Sequence, residues 1–222
     1  MEPLIFIAVV VFAIICGIFA WQAEKKRREE LAALAAQLGL RYSRERDHNL
    51  AVRFGFLNKL AQGANRYAFN ILSGQHQDHN VTIFDYHYET YSRNSKGHRQ
   101  THHHYLGCLI LTLDRDFPEL TITEEGLFSK IAQFVGYDDI DFESAEFSKQ
   151  FCVRSADKKF AYDVCHTRMM EYLLANPDLN VEIDVDCLAI IFGRRLEIHD
   201  IPRNLERLLA IRKLMPEYLW NT

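Results

Sequence analysis

The sequence predicts an α+β protein that has an N-terminal transmembrane helix, a short amphipathic stalk and a mostly antiparallel sheet with helices packed on one side. An uncharged apolar run fills the N-terminus, and beyond residue 41 helical periodicity gives way to short aromatic and β-branched runs. The predicted parts are a transmembrane anchor (1–21), a helical stalk (22–40) and an α+β domain (41–222) with sub-lobes 41–123 and 124–222.

The anchor is an apolar run that begins at Leu4 and ends at Trp21, with no charged residue and no proline. About 18 helical residues rise roughly 27 Å, close to the thickness of the hydrocarbon core of a bilayer. A cleaved signal peptide is the alternative, but the only charged residue before the run is Glu2, where a signal peptide carries Lys or Arg. We therefore expect the chain to contact the lipid bilayer from Leu4 to Trp21.

Four basic residues, Lys25 to Arg28, follow the anchor directly. Such clusters mark the cytoplasmic flank of a membrane helix, so we expect the N-terminus outside and the domain in the cytoplasm. Because this role explains the basic cluster, the cluster is not evidence that the protein binds nucleic acid. A net charge of -4 and a pI near 6.2 also argue against nucleic-acid binding, which requires a concentrated basic face.

The stalk carries apolar residues at helical spacing, namely Leu31, Leu34, Ala35 and Leu38. Gly39 stands where a glycine commonly ends a helix. The apolar stripe either packs on the chain's own domain or forms a short coiled coil between protomers, and it is under two heptads long. Ala13 and Gly17 form one small-xxx-small pair in the anchor, which is compatible with a homo-oligomer.

The domain begins with strand signals and ends with helices. Strands are predicted at 66–72, 80–91, 101–113, 119–123, 151–155, 180–185 and 187–193. Helices are predicted at 123–136, from Asp157 to Leu174, and at 201–219. The long strands precede most of the helices, which is typical of an α+β fold and not of alternating βαβ units.

Several segments, in this order, resemble a family of bacterial proteins that have one N-terminal membrane helix and a cytoplasmic α+β domain. The segments are "AFNIL", "FDYHYET", "FPELTI", "DIDFES", "EFSKQFCVRSADKKFAYDV" and "VEID". The resemblance implies the architecture and attachment to the bacterial inner membrane, but no activity, cofactor or catalytic residue. The three consecutive histidines at 102–104 depart from the family pattern.

A predicted hairpin between Phe84 and Leu113 holds five of the ten histidines. If Ser95 and Lys96 form a two-residue turn, His87 faces His104 and Glu89 faces His102. One face of the hairpin then presents His87, Glu89, His102 and His104, which is a plausible zinc site.

The turn sequence favours another register. If Gly97 takes the left-handed position after a type I turn, His104 faces Tyr88 and Glu89 faces His103. Asn94 suits the first position of such a turn and Gly97 the fourth. In this register the predicted zinc cluster is not assembled, and the hairpin is a solvated tip.

Other combinations that could carry chemistry are weaker. Cys165 and His166 are adjacent, so on a helix they point about 100° apart and are not oriented as nucleophile and base. Asp139, Asp141 and Glu143 alternate and could bind a divalent cation, but their spacing is not that of an EF-hand. The five cysteines are widely spaced, as is typical of reduced thiols.

We find no hydrolase, P-loop, dinucleotide or metalloprotease motif in the sequence. The sequence therefore predicts no catalytic residues and no resident cofactor. Its leading functional hypothesis is a membrane-anchored cytoplasmic binding or scaffold module with a protein partner. The alternative is a zinc-dependent enzyme or metal-binding protein that uses the hairpin histidines.

Overall fold

The computed structural model of the chain describes residues 2–95, 97–125 and 139–221. The helices are α1 (Glu2–Gln37), α2 (His48–Arg53), α3 (Ala145–Gln150), α4 (Lys158–Val164), α5 (Thr167–Leu174) and α6 (Ile201–Leu214). The strands are β1 (Arg41–Ser43), β2 (Ala64–His76), β3 (His79–Arg93), β4 (Arg99–Glu124), β5 (Phe151–Arg154) and β6 (Val181–Phe192). Short 3-10 turns cover Ile198–Asp200 and Glu217–Trp220.

All six strands belong to one antiparallel sheet. Strands β1, β2, β3 and β4 follow one another in space, and β6 pairs with the other edge of β4. Strand β5 pairs with the end of β4, from Thr121 to Glu124, beyond the last residue that β3 contacts. The fold class predicted from the sequence is confirmed.

Strands β4 and β6 are longer than the sequence predicts. The predicted strands 101–113 and 119–123 are one strand, because the β4–β6 ladder passes two irregularities around Phe117 and continues. Pro118, which cannot donate to a ladder, lies at this irregular point. In β6, Val185 pairs with Phe117 at a φ of 48°, and the strand carries on where two strands were expected.

The sheet buries both faces. One face and the helices α1, α3, α4, α5 and α6 form the larger core, which includes Ile83, Leu109 and Ile190. The other face is covered by α2 and the turns that follow it, through Phe54, Leu57 and Leu60.

Helix α1 is continuous from the apolar run into the domain. Leu31 and Ala35 are buried in the larger core, and Leu34 and Leu38 pack against it. The stripe on the stalk therefore packs on its own domain. Gly39 ends the helix with a φ of 72°, a conformation that glycine adopts readily.

The helix expected between Asp157 and Leu174 is two helices. Cys165 ends α4 and His166 precedes α5, so the chain turns at these two residues. Asp157 caps α4, with its carboxylate accepting a hydrogen bond from the Phe160 amide. The helix predicted at 123–136 falls mostly outside the described residues. The last helix ends at Leu214, because Pro216 follows within two residues.

Candidate functional site

The register of the β3–β4 hairpin is the one favoured by its turn sequence. Tyr88 pairs with His104, and Glu89 pairs with His103. Gly97 has a φ of 81°, and its amide donates to the carbonyl of Asn94 over 2.9 Å. The prediction from Asn94 and Gly97 is confirmed.

This register divides the four predicted metal ligands between the two faces of the hairpin. Side chains alternate along a strand, so His87 and Glu89 point to one face and His102 and His104 to the other. On that second face, His104 Nε2 lies 2.8 Å from Thr90 Oγ1 and His102 Nε2 lies 2.7 Å from Ser92 Oγ. A shift of one residue in pairing is what separates the expected cluster.

A different cluster forms on the first face, and we call it the triad: His87, Glu89 and His103. His87 Nε2 lies 3.0 Å from His103 Nδ1, which lies 3.6 Å from Glu89 Oε1. One possible ligand atom from each residue lies within 4.8 Å of the other two. Two imidazole nitrogens and a carboxylate oxygen are a donor set that zinc accepts while a fourth position stays open.

Asn65 orients two members of the triad. Its carbonyl lies 3.2 Å from His87 Nδ1, and its side-chain amide donates to Glu89 Oε1 over 2.7 Å. A proton on Nδ1 leaves Nε2 of His87 as the free donor atom for a metal, as in many zinc sites. Asn65 itself has a φ of 49°, a left-handed conformation that asparagine tolerates better than most residues.

The protonation states of His87 and Glu89 also suit metal ligands. Burial lowers the pKa of His87, which is 2% exposed, so its imidazole is neutral at neutral pH. Hydrogen bonds from Asn65 and from the Tyr91 hydroxyl lower the pKa of Glu89 and keep it ionised. His103 lines a cleft of about 750 Å³ between the hairpin and the segment after β6, beside Arg194 and Arg195.

A buried polar cluster lies next to the triad on the same face and centres on Asp85, which is 2% exposed. Asp85 Oδ2 lies 3.2 Å from Arg27 Nη2 and 3.1 Å from Arg195 Nε. The same oxygen accepts from the Asn70 side-chain amide over 3.0 Å, and Asp85 Oδ1 accepts from the Leu196 backbone amide over 3.2 Å. A buried carboxylate with four donors is fully compensated for its loss of water.

This cluster joins α1 to the sheet domain. Arg27 belongs to α1 and also donates to the Leu196 carbonyl over 2.6 Å. Arg195 donates to both carboxylate oxygens of Glu24, at 3.3 Å each, one helical turn closer to the apolar run. Burial alone would lower the pKa of Arg195, but Glu24 and Asp85 outweigh it and raise the pKa. We call Glu24, Arg27, Asp85 and Arg195 the anchor cluster.

A second buried carboxylate belongs to Glu182 in β6. Burial raises its pKa to about 7, although its Oε1 accepts from the Lys59 backbone amide over 3.2 Å. Within the described part of the chain its Oε2 has no hydrogen-bond partner. Glu182 is 2% exposed, so we treat it as a determinant of stability.

The other candidate residues predicted from the sequence, the Cys165–His166 pair and the acidic residues from Asp139 to Glu143, lie away from the triad. Cys165 is buried, which raises the pKa of its thiol, and His166 Nε2 contacts the Leu214 carbonyl at 2.9 Å. Asp139 lies with Glu125 and Cys152 in a second cluster of possible metal ligands, whereas Asp141 and Glu143 do not. Asp139 already accepts from the Val153 amide over 2.9 Å.

Helix α1 is long and apolar enough to cross a membrane. Its described side chains between Ile5 and Trp21 are exposed, so the protein does not cover them. No protein-family model and no curated protein matches the chain. A solved structure, the mycobacterial trehalose monomycolate transport factor A, TtfA, is similar with a TM-score of 0.64 at 13% identity. The match covers 85% of this chain and 96% of TtfA, and it shows that the two share a fold.

Proposed function

We propose that the protein is a single-pass membrane protein of the bacterial inner membrane, with its N-terminus outside and its sheet domain in the cytoplasm, where it acts as a scaffold for a protein partner. The observation that carries the proposal is the continuity of α1. The apolar part of the helix passes without a break into a part that the anchor cluster and the larger core hold against the sheet. A domain attached in this way keeps a fixed orientation relative to its membrane helix, which suits a scaffold better than a tethered enzyme.

The similar structure is consistent with this role. TtfA is described as a transport factor, and an accessory role at the membrane would suit a shared fold. The basic residues Lys25 to Arg28 support the proposed orientation, because Lys and Arg are enriched on the cytoplasmic flank of membrane helices. Protease added to intact spheroplasts should leave the sheet domain whole, and digestion of the domain there would contradict the orientation.

The scaffold role is tested by crosslinking in living cells. A photo-reactive amino acid in place of Tyr105, in the cleft beside the triad, should capture a defined membrane-associated protein. The matched control is Val52, which is 75% exposed on α2 at the other face of the sheet. Identical crosslinking patterns from both positions, or no adduct from Tyr105, would contradict a scaffold that uses this cleft.

Zinc binding by the triad is the second candidate function, favoured by the convergence of its three ligand atoms. His87, Glu89 and His103 would hold the ion, and Asn65 would orient the first two. Tetrahedral zinc sets two nitrogen ligands roughly 3.3 Å apart, so the present 3.0 Å between His87 Nε2 and His103 Nδ1 requires little movement.

Metal analysis separates the two candidates. Full-length protein purified with zinc should hold one ion per chain if the triad is a site, and His87→Ala or His103→Ala should lose it. The matched control is the pair His102→Ala and His104→Ala, whose side chains lie on the other face and should leave the stoichiometry unchanged. Zinc below a tenth of an equivalent in the wild-type protein would remove this candidate.

A further inference from the structure

The tip of the β3–β4 hairpin is unusual in its charge. We define the hairpin tip as residues 92–101. Its described residues include Arg93, His98 and Arg99, and the sequence has no Asp or Glu between Thr90 and Leu113, although the chain has a net charge of -4. The described residues of the tip are exposed except Asn94, which is half-buried.

The contacts of α1 show which way the hairpin points. The Leu38 carbonyl lies 3.2 Å from His76 Nδ1, and His76 pairs with His79 at the start of β3. Farther along, Arg27 contacts Asp85. The 11 residues from Arg27 to Leu38 rise roughly 17 Å and the six from His79 to Asp85 roughly 20 Å, so over this stretch α1 and β3 run in opposite directions.

The rest of β3 therefore continues toward the apolar part of α1. From Asp85 to Arg93 the strand extends by roughly 26 Å, whereas α1 needs only roughly 9 Å from Arg27 to reach Trp21. Even if the hairpin twists away so that only about a third of its length follows α1, its tip reaches the level of Trp21.

We propose that the hairpin tip docks on the anionic lipid headgroups of the membrane that α1 enters. This inference rests on the proposed function, because it requires α1 to lie in the bilayer. Charged groups do not enter hydrocarbon, so a tip with this charge that reaches the membrane lies at its surface. Lys and Arg near a surface of anionic lipids are attracted to it, and no carboxylate in the tip opposes that attraction.

The experiment uses the full chain in nanodiscs of phosphatidylcholine alone or mixed with anionic phosphatidylglycerol. A fluorophore is attached to Ser95→Cys in a Cys16→Ala background, because the other four cysteines are buried. Quenching by headgroup-labelled lipid should rise about twofold when phosphatidylglycerol is present and fall again at high salt.

A charge reversal identifies the residues responsible. The double variant R93E and R99E should lose the added quenching. The matched control K158E and K159E changes two exposed basic residues on α4 and should keep it. Quenching that is equal in both lipids, or unaffected by reversal at the tip, would overturn the proposal.

A fluorophore at a second position distinguishes failure of the tip proposal from failure of the proposed function. Cys16 lies exposed on the apolar part of α1 and can carry the fluorophore in the wild-type chain. Quenching of Cys16 by acyl-chain label without quenching at Ser95→Cys would reject the tip proposal alone. No quenching at Cys16 would reject the membrane helix, and the tip proposal with it.

Discussion

Asp85 and Arg27 are 58 residues apart in the chain, and their side chains meet at 3.2 Å where α1 crosses the sheet. Removing one member of a buried ion pair leaves the opposite charge buried without a partner. Asp85→Ala should lower the free energy of unfolding by about 3 kcal/mol, near the lower end for buried pairs, because Arg27 and Arg195 can regain some water.

Urea unfolding of the full chain in detergent micelles, followed by circular dichroism, measures this effect. Glu29→Ala is the matched control, because Glu29 pairs with Lys25 at 3.8 Å on the exposed surface of α1. The control should change the free energy by no more than about 0.5 kcal/mol. Equal effects of the two variants would show that the anchor cluster does not stabilise the fold.

Gly107 is predicted to be intolerant of a side chain. It pairs with Asp85 in β3, and a Cβ atom there would lie 2.6 Å from Leu196 Cγ and 2.8 Å from the Arg194 carbonyl oxygen. Gly107→Ala should cost about 1 to 3 kcal/mol and push the segment of Arg195 away from Asp85. Gly193→Ala is the control, since its Cβ would meet nothing within 4 Å. Thermal unfolding of both variants in detergent tests the difference.

Glu182 should make stability depend on pH. Its pKa is about 7 in the fold and ordinarily near 4.5, so between these values the folded chain holds a proton that the unfolded chain has released. Stability therefore falls as pH rises through this window, by about 3 kcal/mol at most. Glu182→Gln should remove that slope and be more stable than wild type at pH 8. Parallel pH profiles for the two proteins would contradict the assignment.

Leu173 and His166 should differ in what they contribute to stability. Leu173 is fully buried under the sheet, and Leu173→Ala should cost about 3 kcal/mol through lost transfer energy and a residual cavity. The contact of the half-buried His166 with the Leu214 carbonyl predicts a smaller cost, about 1 kcal/mol, for His166→Ala. Arg168→Ala, exposed on α5, is the control in urea unfolding.

Local chemistry was sufficient to predict the hairpin register. Asn94 and Gly97 specify the turn, and the turn determines which residues of β3 and β4 face one another. The membership of the triad follows from that register, whereas the zinc site predicted from the sequence contains His102 and His104 and belongs to the other register. The position of Asn65, which has a left-handed backbone, has no such local signal.

The anchor cluster was missed for a different reason. Its members come from α1, β3 and the segment after β6, and nothing in their spacing indicates that they meet. A weak signal exists, because Asp85 and Asn70 interrupt apolar stretches of two strands. A polar residue at a core position needs a buried partner, but only the packing of α1 identifies which one.

The break between α4 and α5 also depends on tertiary packing. Apolar spacing runs through Cys165 and His166 without interruption, so the pattern alone predicts one helix. In the fold, two short helices place Val164 and Leu173 in the same core, and the Leu214 carbonyl holds His166 at the turn.

Because α1 is uninterrupted, its tilt in the bilayer is transmitted to the sheet domain. In a bilayer thinner than its apolar part, a membrane helix tilts, commonly by about 20°. With no hinge between Trp21 and Arg27, such a tilt in the bilayer would swing the whole sheet with it, and a point 30 Å from the membrane would move by roughly 10 Å. The thickness of the surrounding bilayer would then set the angle at which the cleft is presented.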